Sequence, residues 1–388
     1  MNNHSVPSAL LQPLLFSHDE LSNHFFRKPS ERELLLLSYL QIIRGLLTAK
    51  EYSLLAQRNR FGRTGYSLVS ILSILILKLL YQQMTMKQTL QLLKENENLR
   101  MIVEIDTVPS EATMSRLSRQ VEKIVNPNML HERIMELYQE ETGRIIGHLS
   151  IDSTVIEARE KPIRGKRATG QQKKLKKRGR KKKGSAEEAE YQARKAKEEL
   201  QLAQYMAESP EISLSALEKR CSLTAKQNSK GQRQWFIGYK AHMACDDFGV
   251  PVAFTVTGAC VHDTQAAIPL MKLTQKHFDF LYALMDKGYV SADIEAYVQM
   301  IGRRAIIAQR TYRGRPPQQM DSPTALRYEA RTIIERTNGE LKDGYLPVKL
   351  YRKGEQARYD ISLAILLTTI KKVLAVVSVI PEQKRKAA

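Results

Sequence analysis

The stretch Ile145–Ile156, IIGHLSIDSTVI, differs from everything before it: β-branched and apolar residues crowd into a short run, which reads as a strand with Asp152 inside it. Aspartate is disfavoured in strands, so its presence there singles it out for chemistry, with a turn or cap as the structural alternative. Upstream the chain reads as helical. Leu34, Leu35, Leu36, Leu37, Leu40, Ile43 and Leu47 continue a helix-compatible pattern from Glu31, and similar patterns follow Ser67 and Thr85. In Pro109–Ile124, Ser110 is a ready helix cap, followed by Met114, Leu117, Val121 and Ile124 on one face. Its other face carries Ser115, Arg116, Arg119, Gln120 and Lys123, a composition suited to a DNA groove. A solvated face on an ordinary amphipathic helix is the competing reading. Arg116 and Arg119 are the candidate base contacts.

Downstream, Trp235–Ala244 and Val250–Thr257 read as a hairpin turning through Asp246, Asp247 and Gly249. His262, Asp263 and Thr264 precede an apolar helical stretch. Phe280–Met285 and Arg304–Ala308 then read as buried strands separated by a short helix from Ser291. Strand, strand, strand, helix, strand, helix, strand, helix implies a mixed sheet flanked by helices.

Asp286 follows the apolar run FLYALM, where a strand ends. Carboxylates at neighbouring strand positions can hold hard divalent cations. A third acid comes from a helix read over Leu326–Lys342: at about 100° per residue, Tyr328, Arg331, Glu335 and Lys342 share one arc. Ala330, Ile333, Ile334 and Leu341 form a separate apolar stripe, while Glu329 and Glu340 point away. Gly339 costs about 1 kcal/mol relative to Ala and argues against an unbroken helix to Lys342.

The length of 388 residues corresponds to two or three domains at about 150 residues each. The formal net charge of +20 calls for a polyanionic partner. Most of it comes from Arg159–Lys183, where fourteen Lys or Arg face the single acid Glu160. Such a run cannot bury apolar area and is expected to be disordered when unbound, contacting phosphates or serving as a solvated loop. Ser185 and Glu188 then resemble a capping box opening a helix to about Met206. The apolar run Leu68–Tyr81 is interrupted by Ser70, Ser73 and Lys78 and falls short of the roughly 20 residues that span a bilayer. No charged leader precedes an apolar run at the start, and Cys221, Cys245 and Cys260 lack metal spacing, which suits a reducing, cytoplasmic setting. Packing, rather than membrane contact, is expected of Ile361–Ile380. Trp235, Cys245 and Cys260 are expected in or near the core, and His242 and His262 to be structural, with an approach to the metal-holding carboxylates as the alternative.

The motifs IDSTVIEA, GYKAHMACDDFGVPVAFTVTGACVHDTQAAIPL, LMDKGY and YEARTIIERTNGELK occur in this order. In this the chain resembles bacterial insertion-sequence DDE transposases, the last motif matching their Tyr-(2)-Arg-(3)-Glu-(6)-Lys signature as Tyr328, Arg331, Glu335 and Lys342. The resemblance implies an α/β, ribonuclease H-like mixed sheet in which Asp152, Asp286 and Glu335 bind two Mg²⁺ ions, with Mn²⁺ as a substitute. Tyr328, Arg331 and Lys342 would lie near the DNA backbone. It also implies double-stranded DNA, as transposon ends and target, as partner, with no membrane and with a homodimer forming during synapsis. Two features depart from the family pattern: no room remains for a large β-rich insertion between Asp286 and Glu335, and the basic insertion after the first strand is unusual.

The expected organisation is a helical DNA-binding domain over 1–148, a catalytic domain over 149–345 interrupted at about 158–234, and a helical extension over 346–388. The expected activity is metal-dependent strand cleavage and strand transfer, water and a 3′-hydroxyl being the alternative nucleophiles. A catalytically silent DNA-binding regulator is the rival reading.

Overall fold

The computed structural model describes residues 28–57, 65–163, 184–227, 231–309 and 320–386. The basic tract lies, from residue 164 to 183, outside the described residues. Helices α1 (Glu31–Leu46), α2 (Ala49–Ala56), α3 (Leu68–Leu80), α4 (Met86–Glu95), α5 (Glu97–Ile102), α6 (Glu111–Ile124) and α7 (Pro127–Thr142) come first, and no strand lies before Ile146 among the described residues. Ser30, Thr48 and Thr85 open α1, α2 and α4 with reciprocal capping boxes, which satisfy the otherwise orphaned first N–H groups. Apolar all round, α3 is buried almost throughout, and its Lys78 Nζ meets Asp360 at 3.0 Å.

The sheet comprises β1 (Ile146–Glu157), β2 (Ser222–Gln227), β3 (Arg233–Cys245), β4 (Pro251–Gly258), β5 (Phe280–Met285) and β6 (Arg304–Ile307). Its order is β2-β3-β1-β5-β6, with β4 also paired to β3. β3 runs antiparallel to β1, β2 and β4, whereas β1, β5 and β6 are parallel. β2 and β4 share one edge of β3, since Ser222 pairs with Gly238 and Gly258 with Tyr239. At Gly238 the chains approach so closely that a Cβ would collide with the Ile156 carbonyl oxygen.

The remaining helices are α8 (Ala186–Ala207), α9 (Pro210–Ser215), α10 (Thr264–Thr274), α11 (Ala292–Met300), α12 (Ser322–Glu329), α13 (Thr332–Tyr345) and α14 (Glu355–Lys386). α13 packs on β1 and β3, α10 on β3 and β4, and α14 on α7 and β4. The result is the expected mixed α/β sheet flanked by helices, behind an all-helical region. Among the described residues one helix, over Glu355–Ser378, is long and apolar enough to cross a membrane. Ile361, Leu363, Ile365, Leu367 and Ile370 of this helix are fully buried within the protein.

Four expectations are corrected. β2, reading SLTAKQ, adds a strand that the sequence pattern does not signal, because it is short and polar. Trp235 is 61% exposed, since the first residues of β3 run past β1 and pair only with β2. Cys260 is exposed on the loop after β4, while Cys245 is buried as expected. The helix read over Leu326–Lys342 is two helices, with a turn at Ala330 and Arg331 held by i→i−3 bonds from Ala330 N to Arg327 O and from Arg331 N to Tyr328 O. The second helix nevertheless continues through Gly339 to Tyr345.

Candidate active site

Ile151 pairs with Met285 in the parallel β1/β5 ladder, so the next residues, Asp152 and Asp286, leave it side by side. Asp286 remains extended, and its Oδ1 accepts from Gly288 N at 2.8 Å, capping a single 3₁₀ turn over Lys287–Tyr289. Helix α13 lies across Asp152: Asn338 Nδ2 donates to Asp152 Oδ2 at 3.0 Å. Ile334, Thr337, Leu341 and Tyr345 bury the sheet-facing side of this helix, leaving Glu335 in its first turn with its side chain 55% exposed. Glu335 thus stands over the same sheet face as Asp152.

Arg331 joins the three acids. Its Nη2 donates to Glu335 Oε1 at 2.5 Å, and its Cζ lies 5.8 Å from the centre of the Tyr328 ring. Burial works against its charge, but Tyr328, Asp152, Glu335 and Asp286 together hold the guanidinium above its ordinary pKa. Its Nη1 is buried without an acceptor among the described residues. Burial pushes the Asp152 carboxyl up to about 6; the Ser153 N–H and Arg331 oppose this, and Asp286 adds to it. Desolvation and then the like charge of Lys226 pull the Lys342 ammonium down, while Asp152 acts in the opposite direction. Tyr328, Arg331 and Lys342 therefore each lie within electrostatic reach of at least one of the carboxylates.

Among the described residues, no three His, Cys, Asp or Glu side chains are gathered tightly enough to hold an ion as they stand. Glu335 is turned toward Arg331 instead. The residues nonetheless fit a divalent cation. Three carboxylates are hard oxygen donors. Asp152 bears a desolvation penalty that a cation would relieve, and beside it Asn338 Oδ1 is buried without a donor among the described residues.

His242 pairs in register with Ser153, one residue on from Asp152, and so sits on the opposite face of the sheet. There it contacts Thr257 Oγ1 at 2.9 Å, and burial lowers its pKa to about 3, consistent with a neutral structural histidine. On that face Asp263 accepts from Ser153 Oγ at 2.7 Å and from Lys240 Nζ at 2.8 Å. His262 is exposed and contacts Thr264 Oγ1. Arg116 and Arg119 lie on the exposed side of α6, far along the chain from these acids, with Met114 and Val121 buried opposite them.

Sequence reasoning missed Asn338 and Lys226. An asparagine within a helix carries no signal of its own until a partner faces it. Lys226 belongs to β2, which the pattern of the sequence does not mark.

Residues 212–369 match the family described as "Transposase DDE domain". Residues 40–120 match the family described as "Transposase domain (DUF772)". The first match includes Asp286, Tyr328, Arg331, Glu335 and Lys342; Asp152, on β1, precedes it. No curated protein and no solved structure gives a significant match. With a mixed sheet flanked by helices, a helical region before it, and transposase families matched over parts of both, this chain carries a transposase DDE domain behind a second transposase domain.

Proposed function

We propose that the protein binds the ends of its insertion sequence and cuts and joins DNA strands with Asp152, Asp286 and Glu335 as the ligands of two Mg²⁺ or Mn²⁺ ions. The observation that carries this reading is the convergence of three acids, remote in sequence, on one sheet face around Arg331. Divalent ions held there would activate the attacking oxygen and stabilise the leaving oxygen of an in-line phosphoryl displacement.

The chain's own residues supply the rest. β1 and β5 fix Asp152 and Asp286 at adjoining positions, and α13 brings Glu335 over them. Arg331 Nη1, buried without an acceptor among the described residues, is a donor suited to a phosphate oxygen. Lys342 and Lys226, two cations crowded together, reduce their mutual repulsion by sharing a phosphate. Tyr328 stacks on a base or donates to phosphate. Arg116 and Arg119 on α6 read the end sequence, and the basic tract before α8 adds contacts that are indifferent to sequence. Synapsis of two ends requires at least a dimer during the reaction. The helical region through residue 148 acts as the DNA-binding domain, the sheet and its helices as the catalytic one.

The test is Mg²⁺-dependent nicking and joining on DNA carrying the terminal inverted repeats. Asp152→Asn, Asp286→Asn and Glu335→Gln should each abolish both steps and leave end binding largely intact. Full activity in all three rejects the assignment. End binding without any cleavage by the unaltered chain would instead support a silent regulator.

A further inference from the structure

Asn338 lies three residues beyond Glu335 on α13 and is only 8% exposed. Its amide nitrogen contacts Asp152 Oδ2 at 3.0 Å, while its amide oxygen is buried and has no donor among the described residues. An amide group has both donor and acceptor capacity, and here only the donor is used. Flipping it would turn its oxygen onto the Asp152 carboxylate, so the carboxylate itself fixes which way the group faces. The acceptor left over sits beside the acid that the proposed function makes a metal ligand. A hydrated divalent ion brings what is missing, because its bound waters are strong hydrogen-bond donors. A purely packing role would favour an apolar residue, as at neighbouring Ile334 and Leu341.

We propose that Asn338 is a positioning residue of the metal site. Its Nδ2 holds one oxygen of Asp152 and so fixes how the carboxylate is turned toward the ion, and its Oδ1 would accept from a water on that ion. The inference rests on the three-carboxylate reading and adds a fourth residue to it. Partners that orient metal ligands are typically worth about 10–100-fold in metal affinity.

The experiment is titration of the full-length chain with Mn²⁺ alone, followed by calorimetry and by the rise in melting temperature. Asp152→Asn tests the underlying reading: it should lose Mn²⁺ binding, and if it does not, both the reading and this inference fall. Asn338→Leu should retain its fold but bind Mn²⁺ about 10–100-fold more weakly. It should also recover DNA cleavage at high Mn²⁺, an effect on apparent metal affinity rather than on kcat. A folded Asn338→Leu that binds within twofold of the unaltered chain overturns the inference while leaving the carboxylate reading intact. Asn338→Asp provides a second route, because it keeps an acceptor but sets two acids against each other. Its Mn²⁺-induced rise in melting temperature should exceed that of the unaltered chain, and an equal or smaller rise overturns the inference.

Discussion

Arg331 Nη2 lies 2.5 Å from Glu335 Oε1, one helical turn away, so the chain itself supplies a cation to an acid proposed as a metal ligand. Loading the site requires Glu335 to exchange that partner. Because Glu335 is exposed, the pair is worth only about 0.2–1 kcal/mol. Arg331→Gln should therefore raise Mn²⁺ affinity in the absence of DNA by up to about fivefold, the equivalent of that energy. The same change should lower cleavage if Arg331 is the phosphate donor proposed above. Calorimetric titration beside a cleavage assay checks both, and tighter metal binding together with undiminished cleavage would show that Arg331 only restrains Glu335.

Burial sets a pH window on metal loading. The Asp152 carboxyl, pushed up to about 6, must lose its proton to bind a cation. Mn²⁺ affinity should climb by up to about tenfold per pH unit below 6 and level off above it. In the metal-free chain the same shift runs against folding. A folded pKa above the unfolded value of about 3.9 means that stability falls as pH rises from about 4 to about 6, then stays level with respect to this group. Asp152→Asn should remove that slope. Denaturant titrations between pH 4 and 7 measure it.

The ion cluster beneath α3 gives a stability prediction with a definite sign. Asp360 meets Lys78 at 3.0 Å and Arg352 at 2.5 Å, and Arg352 also pairs with Glu122 on α6. Burial alone would raise the Asp360 carboxyl, but Arg352 and Lys78 hold it below its usual value. Its contribution is present above the unfolded value of about 3.9 and is lost as pH falls through the lower folded value. Asp360→Asn at neutral pH leaves Lys78 buried without an anion and should cost about 3–5 kcal/mol. Asp360→Leu combined with Lys78→Met should recover most of that loss. A single variant costing under about 1 kcal/mol would show the cluster to be well hydrated.

Much of this arrangement is legible in the sequence because period and position agree. Asp152 inside a β-branched run and Asp286 after FLYALM mark adjoining strands, and the pairing of Ile151 with Met285 is their register. The Tyr328, Arg331, Glu335 and Lys342 spacing tolerates a broken helix, since the 3₁₀-like turn at Ala330–Arg331 shifts the face of α12 without carrying Tyr328 away from Arg331. Residues defined only by a tertiary partner are not legible. Asn338 needs Asp152 across from it, and Lys226 needs the pairing of β2 with β3. The exposure of Trp235 runs against expectation because apolarity reports burial only where a neighbouring strand exists to cover it.

Lys226 and Lys342 should act together on DNA. Replacing each by Gln should weaken end binding and reduce the salt slope by about one for each phosphate left without its lysine. Arg116→Ala with Arg119→Ala should instead narrow the difference in affinity between end DNA and random DNA. Filter-binding at several salt concentrations separates the two effects. A Lys226→Gln chain with an unchanged slope would leave Lys342 as the contact and exclude the β2 ribbon from the interface.

The most direct measurement is the anomalous scattering of Mn²⁺ in crystals of the full chain bound to end DNA. The prediction is an ion held by oxygens of Asp152, Asp286 and Glu335 together, at the roughly 2.0–2.6 Å typical of hard-cation oxygen ligands, with Glu335 released from Arg331. An ion bound elsewhere, or Glu335 still paired with Arg331 beside bound DNA and Mn²⁺, would contradict the account.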